Sequence, residues 1–480
     1  MTPQSLWMLE PFLAATGGRV LGAAAAEITG ISIDSRTVAA GEAFFAIKGD
    51  THDGHSFVHA ALERGAGLAV VAEERLVDLP ADGRYVVVDD VLQALGRLGA
   101  AARARSRARV VAVTGSVGKT STKEALKVVL AKQGSVHASP GSFNNHWGVP
   151  LTLARLPADI DFAIFEIGMN HAGEITPLAK LVRPHVAIVT TVAPVHLEYF
   201  DSVADIARAK GEIFAGVEPG GAAVINGDIA EAGLLETEAR RAGVEHIYFF
   251  GERPGLASHV ESLVPRADGS VIRGFILGAP VIWKVGAPGR HVAINSLAVL
   301  TAATLLGADL ALAALALAQL VAPQGRGSQH TLAIGHGSFT LIDESYNANP
   351  ASMRAAIDLL GQSPVGLRGR RIAVLGDMLE LGEAGPRLHA ELAERLSRAR
   401  VDRVYCAGSL MRSLWHAIPI EVRGAHAETA AELKPVILQA LAPGDVVMVK
   451  GSNGSRMGQL VEAIKKKFPS IEESVEDVDV

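Results

Sequence analysis

Thr114-Gly115-Ser116-Val117-Gly118-Lys119-Thr120-Ser121 gathers, in consecutive positions, the residue types needed to hold a polyphosphate. Glycines let backbone N–H groups curl around phosphate oxygens, Lys119 reaches the outer phosphates, and Thr120 offers a hydroxyl to Mg²⁺. The nucleotide expected there is ATP. An apolar, β-branched run at 110–113 precedes the loop, and Lys123-Glu124-Ala125-Leu126-Lys127-Val128-Val129-Leu130 continues it with helical spacing. Strand, phosphate loop and helix therefore follow in the required order, and the helix N-terminus adds a positive partial charge. The general pattern places a glycine five residues before Gly118, where this chain has Val113. An ordinary strand-to-helix turn is the competing reading, and it gives Gly-Lys-Thr no reason to stand between strand and helix.

Other residues that could do chemistry stand at the ends of apolar runs. Asp161-Phe162-Ala163-Ile164-Phe165 reads as a buried parallel strand running into Glu166. A carboxylate at that end of an open α/β sheet, beside a phosphate loop, is a candidate Mg²⁺ ligand; the alternative is a turn or helix cap. A further strand at 186–192 leads to His196, and a lone histidine is more often structural. Lys210 lies on a helical pattern where composition favours a solvated lysine. Asn295 falls in the opening turn of an alanine-rich helix. Arg326, in a Gly- and Pro-containing link at 322–328, is either solvated or able to bring a guanidinium onto a phosphate. Asp34-Ser35-Arg36 and the loop from Lys48 and Gly49 to Asp53 and His55 read, by themselves, as capped turns and a solvated loop. That loop is still polar enough to take a polar ligand, and Asn144-Asn145 expose side-chain amides.

The elements that must position these groups divide the chain. Its 480 residues suggest roughly three domains of ~150. β-Branched runs near 31, 43, 68 and 85 predict a small α/β domain over 1–90. A helix at 92–105 then leads into a central parallel-sheet domain over 91–324. Within it, 103–109 reads as a solvated basic hinge and 245–285 as short antiparallel strands. Four strand-to-loop units at 340, 372, 403 and 446 predict a doubly wound domain over 325–480 with no phosphate loop of its own. An acidic, disordered tail is expected from about 470. The alanine-rich stretch at 292–324 is too weakly apolar for insertion, and Gly307-Ala308-Asp309 reads as a break between two packed helices with Asp309 as the cap. With 49% hydrophobic and 20% charged residues and a net charge of −6, the chain shows no electrostatic footprint for nucleic acid. Cys406 is its one cysteine, which excludes an intrachain disulfide framework and a cysteine-built zinc site. The start lacks a secretory signal pattern, so a reducing cytoplasm is expected.

From Asp34 to Met457 the chain resembles the Mur ligases of peptidoglycan synthesis. Thr-Gly-Ser-Val-Gly-Lys-Thr, Asn144-Asn145-His146-Trp147-Gly148-Val149-Pro150, Ala209-Lys210-Gly211-Glu212-Ile213-Phe214 and His291-Val292-Ala293-Ile294-Asn295 carry the likeness. Ser345-Tyr346-Asn347-Ala348-Asn349-Pro350 and Leu375-Gly376-Asp377-Met378-Leu379-Glu380-Leu381-Gly382 are similar to motifs of the members that add D-alanyl-D-alanine to UDP-N-acetylmuramoyl-tripeptide. The Asp-Asn-Pro-Arg motif of diaminopimelate-adding members is absent. The resemblance implies a three-domain α/β ligase, a monomer, that forms an amide through an acyl phosphate. It implies that Lys210 is a carbamate and that Thr120, Glu166, His196 and Lys210 hold Mg²⁺. It places the loop from Thr114 to Ser121, Asn295 and Arg326 around ATP, with Asp343, Tyr346, Asn347 and Asn349 added from the last domain. Lys119, Lys210, His196 and Arg326 are the implied catalytic set. Asp34, Ser35, Arg36, Lys48, Gly49, Asp53, His55, Asn144 and Asn145 are the implied contacts of the UDP-substrate. An amino-acid-adding ligase of the same family, of the diaminopimelate-adding type, a folylpolyglutamate synthase, which as a family lacks the UDP-binding domain, or an ATPase switch would be the alternatives.

Overall fold

The structure, a computed structural model, describes residues 5–49, 51–195, 198–266 and 268–471. The His196 expectation and most of the acidic tail lie outside the described residues. The run Arg109–Thr114 is an interior strand, third from one edge, of a nine-stranded sheet, with Phe162–Glu166 and Val186–Val189 parallel on either side. These strands are buried along almost their whole length, as expected for parallel strands covered on both faces. Lys119–Leu130, Arg290–Leu305 and Leu310–Ala316 cover one face with Leu126, Leu297 and Ala313. Asp309 caps the last of these, accepting from Leu312 N–H at 2.9 Å. The alanine-rich stretch is thus a pair of core helices, and no helix among the described residues is long and apolar enough to cross a membrane.

The expected strands between 245 and 285 are present, with one correction. His246–Gly251 runs parallel to Ala222–Asn226, so only the hairpins from Ser258–Arg266 onward are antiparallel. They extend the central sheet and do not form a separate one.

A five-stranded sheet precedes the central one: Ile31–Ser32, Ala43–Phe45, Leu68–Ala72 and Tyr85–Val88 are parallel, and Arg19–Leu21 pairs antiparallel at the edge. The helix Val91–Arg105 inserts Leu95 and Leu98 into one apolar core that also contains Phe12, Phe45, Ala163 and Leu178. The solvated-hinge expectation for 103–109 fails at Arg103 and Arg105, while Arg107 and Arg109 are exposed. Arg103 is buried and donates to the carbonyls of Val182 and Arg183, both at 2.8 Å. Arg105 lies 3.5 Å over the Trp7 ring and donates to Leu6 O, and Arg109 donates to Leu306 O. Long arginine stems pack on apolar surface while their heads find carbonyls distant in sequence.

The last sheet has the order Ser328–Ile334, Gly337–Glu344, Val446–Lys450, Arg371–Gly376, Arg403–Ala407, Arg423–Ala427, parallel throughout except for the first hairpin. Helices bury apolar residues on both of its faces, giving the doubly wound arrangement read from the sequence.

Candidate functional site

The carboxyl ends of the central and last sheets face each other across a cleft of about 910 Å³. The phosphate loop forms one wall. Gly115 (φ 148°) and Gly118 (φ 87°) adopt backbone angles that side chains rarely tolerate. A Cβ at Gly115 would strike the Thr190 hydroxyl, and one at Gly118 would strike the Asn295 amide. The loop is braced from the neighbouring strand: Thr190 Oγ1 donates to Val117 O at 2.6 Å, and Ser116 Oγ donates to Ala193 O at 3.1 Å. Ser121 Oγ donates to Gly118 O at 3.1 Å, inside the first helical turn. Lys119 Nζ donates to Gly115 O at 2.8 Å, so its ammonium stays over the loop. Burial pulls the Lys119 pKa down, Glu166 opposes that, and the Arg326 charge adds to it.

Glu166 ends its strand 1% exposed, with both carboxylate oxygens engaged. Thr120 Oγ1 donates to Oε2 at 2.8 Å, and Asn144 Nδ2 donates to Oε1 at 2.7 Å. Lys210, on the helix Val203–Gly211, is 2% exposed. Its pKa is pulled well below the ordinary lysine value, first by burial and then by the Lys119 charge. Among the described residues its side-chain nitrogen has no hydrogen-bond or ion-pair partner. Nor do the described residues include a cluster of three or more His, Cys, Asp or Glu side chains able to hold a metal.

The opposite wall comes from the link and the last sheet. The Arg326 guanidinium lies 4.1 Å over the Tyr346 ring and donates to Ser142 Oγ at 3.2 Å. Tyr346, Asn347 and Asn349 line the cleft, and Asn295 and Asn144 line it from the central side. Asn349 also caps Pro350–Gln362 in a capping box with Ser352. Asn295 stands in the second turn of its helix, one turn later than expected, against Gly118.

Asp343 requires correction as an ATP contact. It is buried away from the cleft wall, where it accepts from Gly325 N–H at 3.1 Å, Ser345 N–H at 3.1 Å and Ser345 Oγ at 2.6 Å. Its carboxylate shapes the link. Sequence reasoning missed the ion pair between Lys450 and Glu344, 3.1 Å apart on adjacent strands in the cleft. The polar ends of both runs were visible, but their register is a long-range property.

The residues expected to bind the UDP-substrate lie apart from this cleft, Asn144 excepted. Asp34 accepts from Arg36 through both oxygens at 2.9 and 2.7 Å, and this pairing lowers its pKa to about 2. Ser35 sits half-buried between them. Lys48 bridges to Asp53 through the backbone, with Gly49 donating to His52 O at 2.9 Å. His55 requires correction as a ligand contact: its buried Nδ1 meets Asp53 Oδ1 at 2.6 Å and its Nε2 accepts from Ala72 N–H at 3.0 Å. Both ring nitrogens are committed, so it is a core histidine. Asn145 Oδ1 accepts from Gly148 N–H at 3.0 Å, which holds its side chain to the start of Gly148–Ala154.

Comparison with known proteins bears on what this cleft is. Three family profiles match: "Mur ligase family, catalytic domain" at 27–105, "Mur ligase middle domain" at 113–303 and "Mur ligase, glutamate ligase domain" at 331–453. The UDP-N-acetylmuramoyl-tripeptide–D-alanyl-D-alanine ligase of Escherichia coli K12 is 34% identical over 91% of this chain and 93% of its own. That of Rickettsia prowazekii is 31% identical over 90% and 94%. Among solved structures, MurF from Acinetobacter baumannii superposes with a TM-score of 0.84 at 29% identity, covering 97% of this chain and 100% of its own. MurF from Thermotoga maritima in complex with ADP gives 0.75 at 27%, covering 91% and 97%. With a profile falling on each of the three larger sheets and relatives spanning nearly the full length, the chain belongs to the Mur ligase family.

Proposed function

We propose that the cleft joins D-alanyl-D-alanine to the terminal carboxylate of UDP-N-acetylmuramoyl-tripeptide, with cleavage of ATP to ADP and phosphate. The observation that carries this reading is the meeting of Lys119, Thr120 and Glu166 with Arg326, a cation brought in by the link to the last sheet. The printed names of the full-length relatives support the choice of substrates.

A carboxylate has no leaving group that an amine can displace. Its oxygen therefore first attacks the γ-phosphorus of ATP, the bond to the β-phosphate oxygen breaks, and ADP leaves behind an acyl phosphate. Negative charge builds on the phosphoryl oxygens during this step, and stabilising it is the main catalytic task. Lys119 and Arg326 approach from opposite walls to do so. The dipeptide amine, once deprotonated, attacks the acyl carbon, and the tetrahedral species collapses with loss of phosphate. Closing the last sheet over the cleft keeps water from the acyl phosphate.

The oxygen donors at Thr120 and Glu166 suit a hard cation. With a carbamylated Lys210 they would hold Mg²⁺, which when bound supplies further neutralisation of phosphate charge. The units 1–90, 91–324 and 325–480 are assigned to the UDP-substrate, ATP and ligation respectively, in a monomer of the reducing cytoplasm. The test is ADP release from purified protein. Release that requires both UDP-tripeptide and D-alanyl-D-alanine is expected, and steady hydrolysis without either would point instead to a nucleotide-driven switch.

A further inference from the structure

Lys123 stands one helical turn beyond Lys119 and is fully buried, at 0% exposure. A buried ammonium is costly unless oxygens surround it. Here Nζ donates to Ser139 O at 2.8 Å and Gly141 O at 2.6 Å, and Glu124 Oε1 lies 2.8 Å away. Those oxygens use up its three protons, so this lysine has none left for a phosphate. What it holds is the segment 139–144, pinned to the phosphate helix by two carbonyls.

That segment touches Thr120, Glu166 and Arg326. Ser142 Oγ accepts from Arg326 of the link at 3.2 Å and lies 3.4 Å from Thr120 Oγ1. Two residues on, Asn144 donates to Glu166 at 2.7 Å, while its carbonyl accepts from Gly168 N–H at 2.8 Å. Ser142 is therefore the point where a side chain of the link meets the phosphate helix, and Asn144 orients the carboxylate beside it. Gly141, which carries the second anchored carbonyl, is in left-handed backbone (φ 51°) and gives the segment its bend.

We infer that Lys123 is a positioning residue: it fixes the 139–144 segment so that Ser142 and Asn144 couple the seating of Arg326 to the Thr120–Glu166 pair. This rests on the ligase reading of the cleft. A lysine that merely stapled a loop would contribute stability alone. A positioning lysine acts through Ser142 and Asn144, so its effect vanishes when they are gone.

The test measures ligation kinetics and melting for wild type, Lys123→Met, Lys123→Arg, the Ser142→Ala/Asn144→Ala pair, and the triple variant. Lys123→Met is expected to lower kcat by about 10-fold or more while KM for ATP stays within about 2-fold, because the phosphate loop itself is untouched. The Ser142→Ala/Asn144→Ala pair should show the same split. Adding Lys123→Met to it should cost less than about 2-fold more, the signature of residues acting as a unit. Lys123→Arg, which keeps the charge and donors, should recover part of the loss. Unchanged kcat in Lys123→Met, or the same loss with and without Ser142 and Asn144, overturns the inference. Should Lys123→Met not fold, an Ser142→Ala/Asn144→Ala pair with wild-type kcat overturns it alone. A wild-type protein that forms no ligation product refutes the ligase reading instead, which separates the two failures.

Discussion

A lysine ammonium placed where Lys210 stands loses nearly all its hydration and faces a second cation, Lys119. Burial and that neighbouring charge both act in favour of the neutral amine, the form whose nitrogen would attack the carbon of CO₂ in the proposed carbamate, releasing a proton and turning a cation into an anion. Lys210→Ala is expected to lower ligation about 100-fold or more, and added bicarbonate should not restore it; near-normal turnover would remove the carbamate from the scheme. Cys406 shows burial acting on a residue without chemistry. Its thiol is pushed up to about 12 from 9.0 by its apolar surroundings, with Asp377 adding to the effect. Because the folded value is the higher one, its contribution to stability is complete below pH 9 and is lost as pH rises towards 12. The native protein at pH 8 should resist a thiol reagent and become fully labelled only in denaturant, as mass spectrometry would show. At this scale the sequence was most legible where partners are close along the chain. Lys119 and Thr120 follow from local spacing, and Glu166 from its place at a strand end. His55 was misread because the second of its ring nitrogens is satisfied by Ala72, at the end of a strand distant in sequence.

Elements were legible wherever their own pattern decides them. β-Branched runs gave the parallel strands, and Asp309 gave a helix boundary. The cap at Asn349 belongs to the same class, and its removal isolates one element. Asn349→Ala should destabilise Pro350–Gln362 by about 1 kcal/mol, read as a lower urea midpoint at constant slope. What could not be read locally was pairing. His246–Gly251 looked like its antiparallel neighbours but joins the parallel run, because its partner is Ala222–Asn226. The strand Trp7–Met8 was not foreseen at all: two residues carry too little periodicity, and its partner is Glu27–Ile28. The arginines at 103 and 105 looked solvated because the carbonyls that receive them come from other elements.

In the whole molecule, the N-terminal strand pair Trp7–Met8 and Glu27–Ile28 and the five-stranded sheet beside it are sewn to the central sheet. Trp7 Nε1 donates to Ala154 O at 3.0 Å, its ring carries Arg105, and the apolar core runs unbroken beneath both. Trp7→Ala is expected to cost about 3 kcal/mol and to split a shared unfolding transition in calorimetry, the N-terminal sheets melting ahead of the rest. The last sheet is attached differently, through a short strap whose own arginine reaches back across the gap. That placement would tie timing to geometry. In the proposed reaction the positive charge offered to the far end of the nucleotide belongs to the very chain that joins the two lobes, so it would arrive only as they come together and leave once they part. A nucleotide waiting in an open molecule would then be one cation short, and would thereby be kept from being wasted on water.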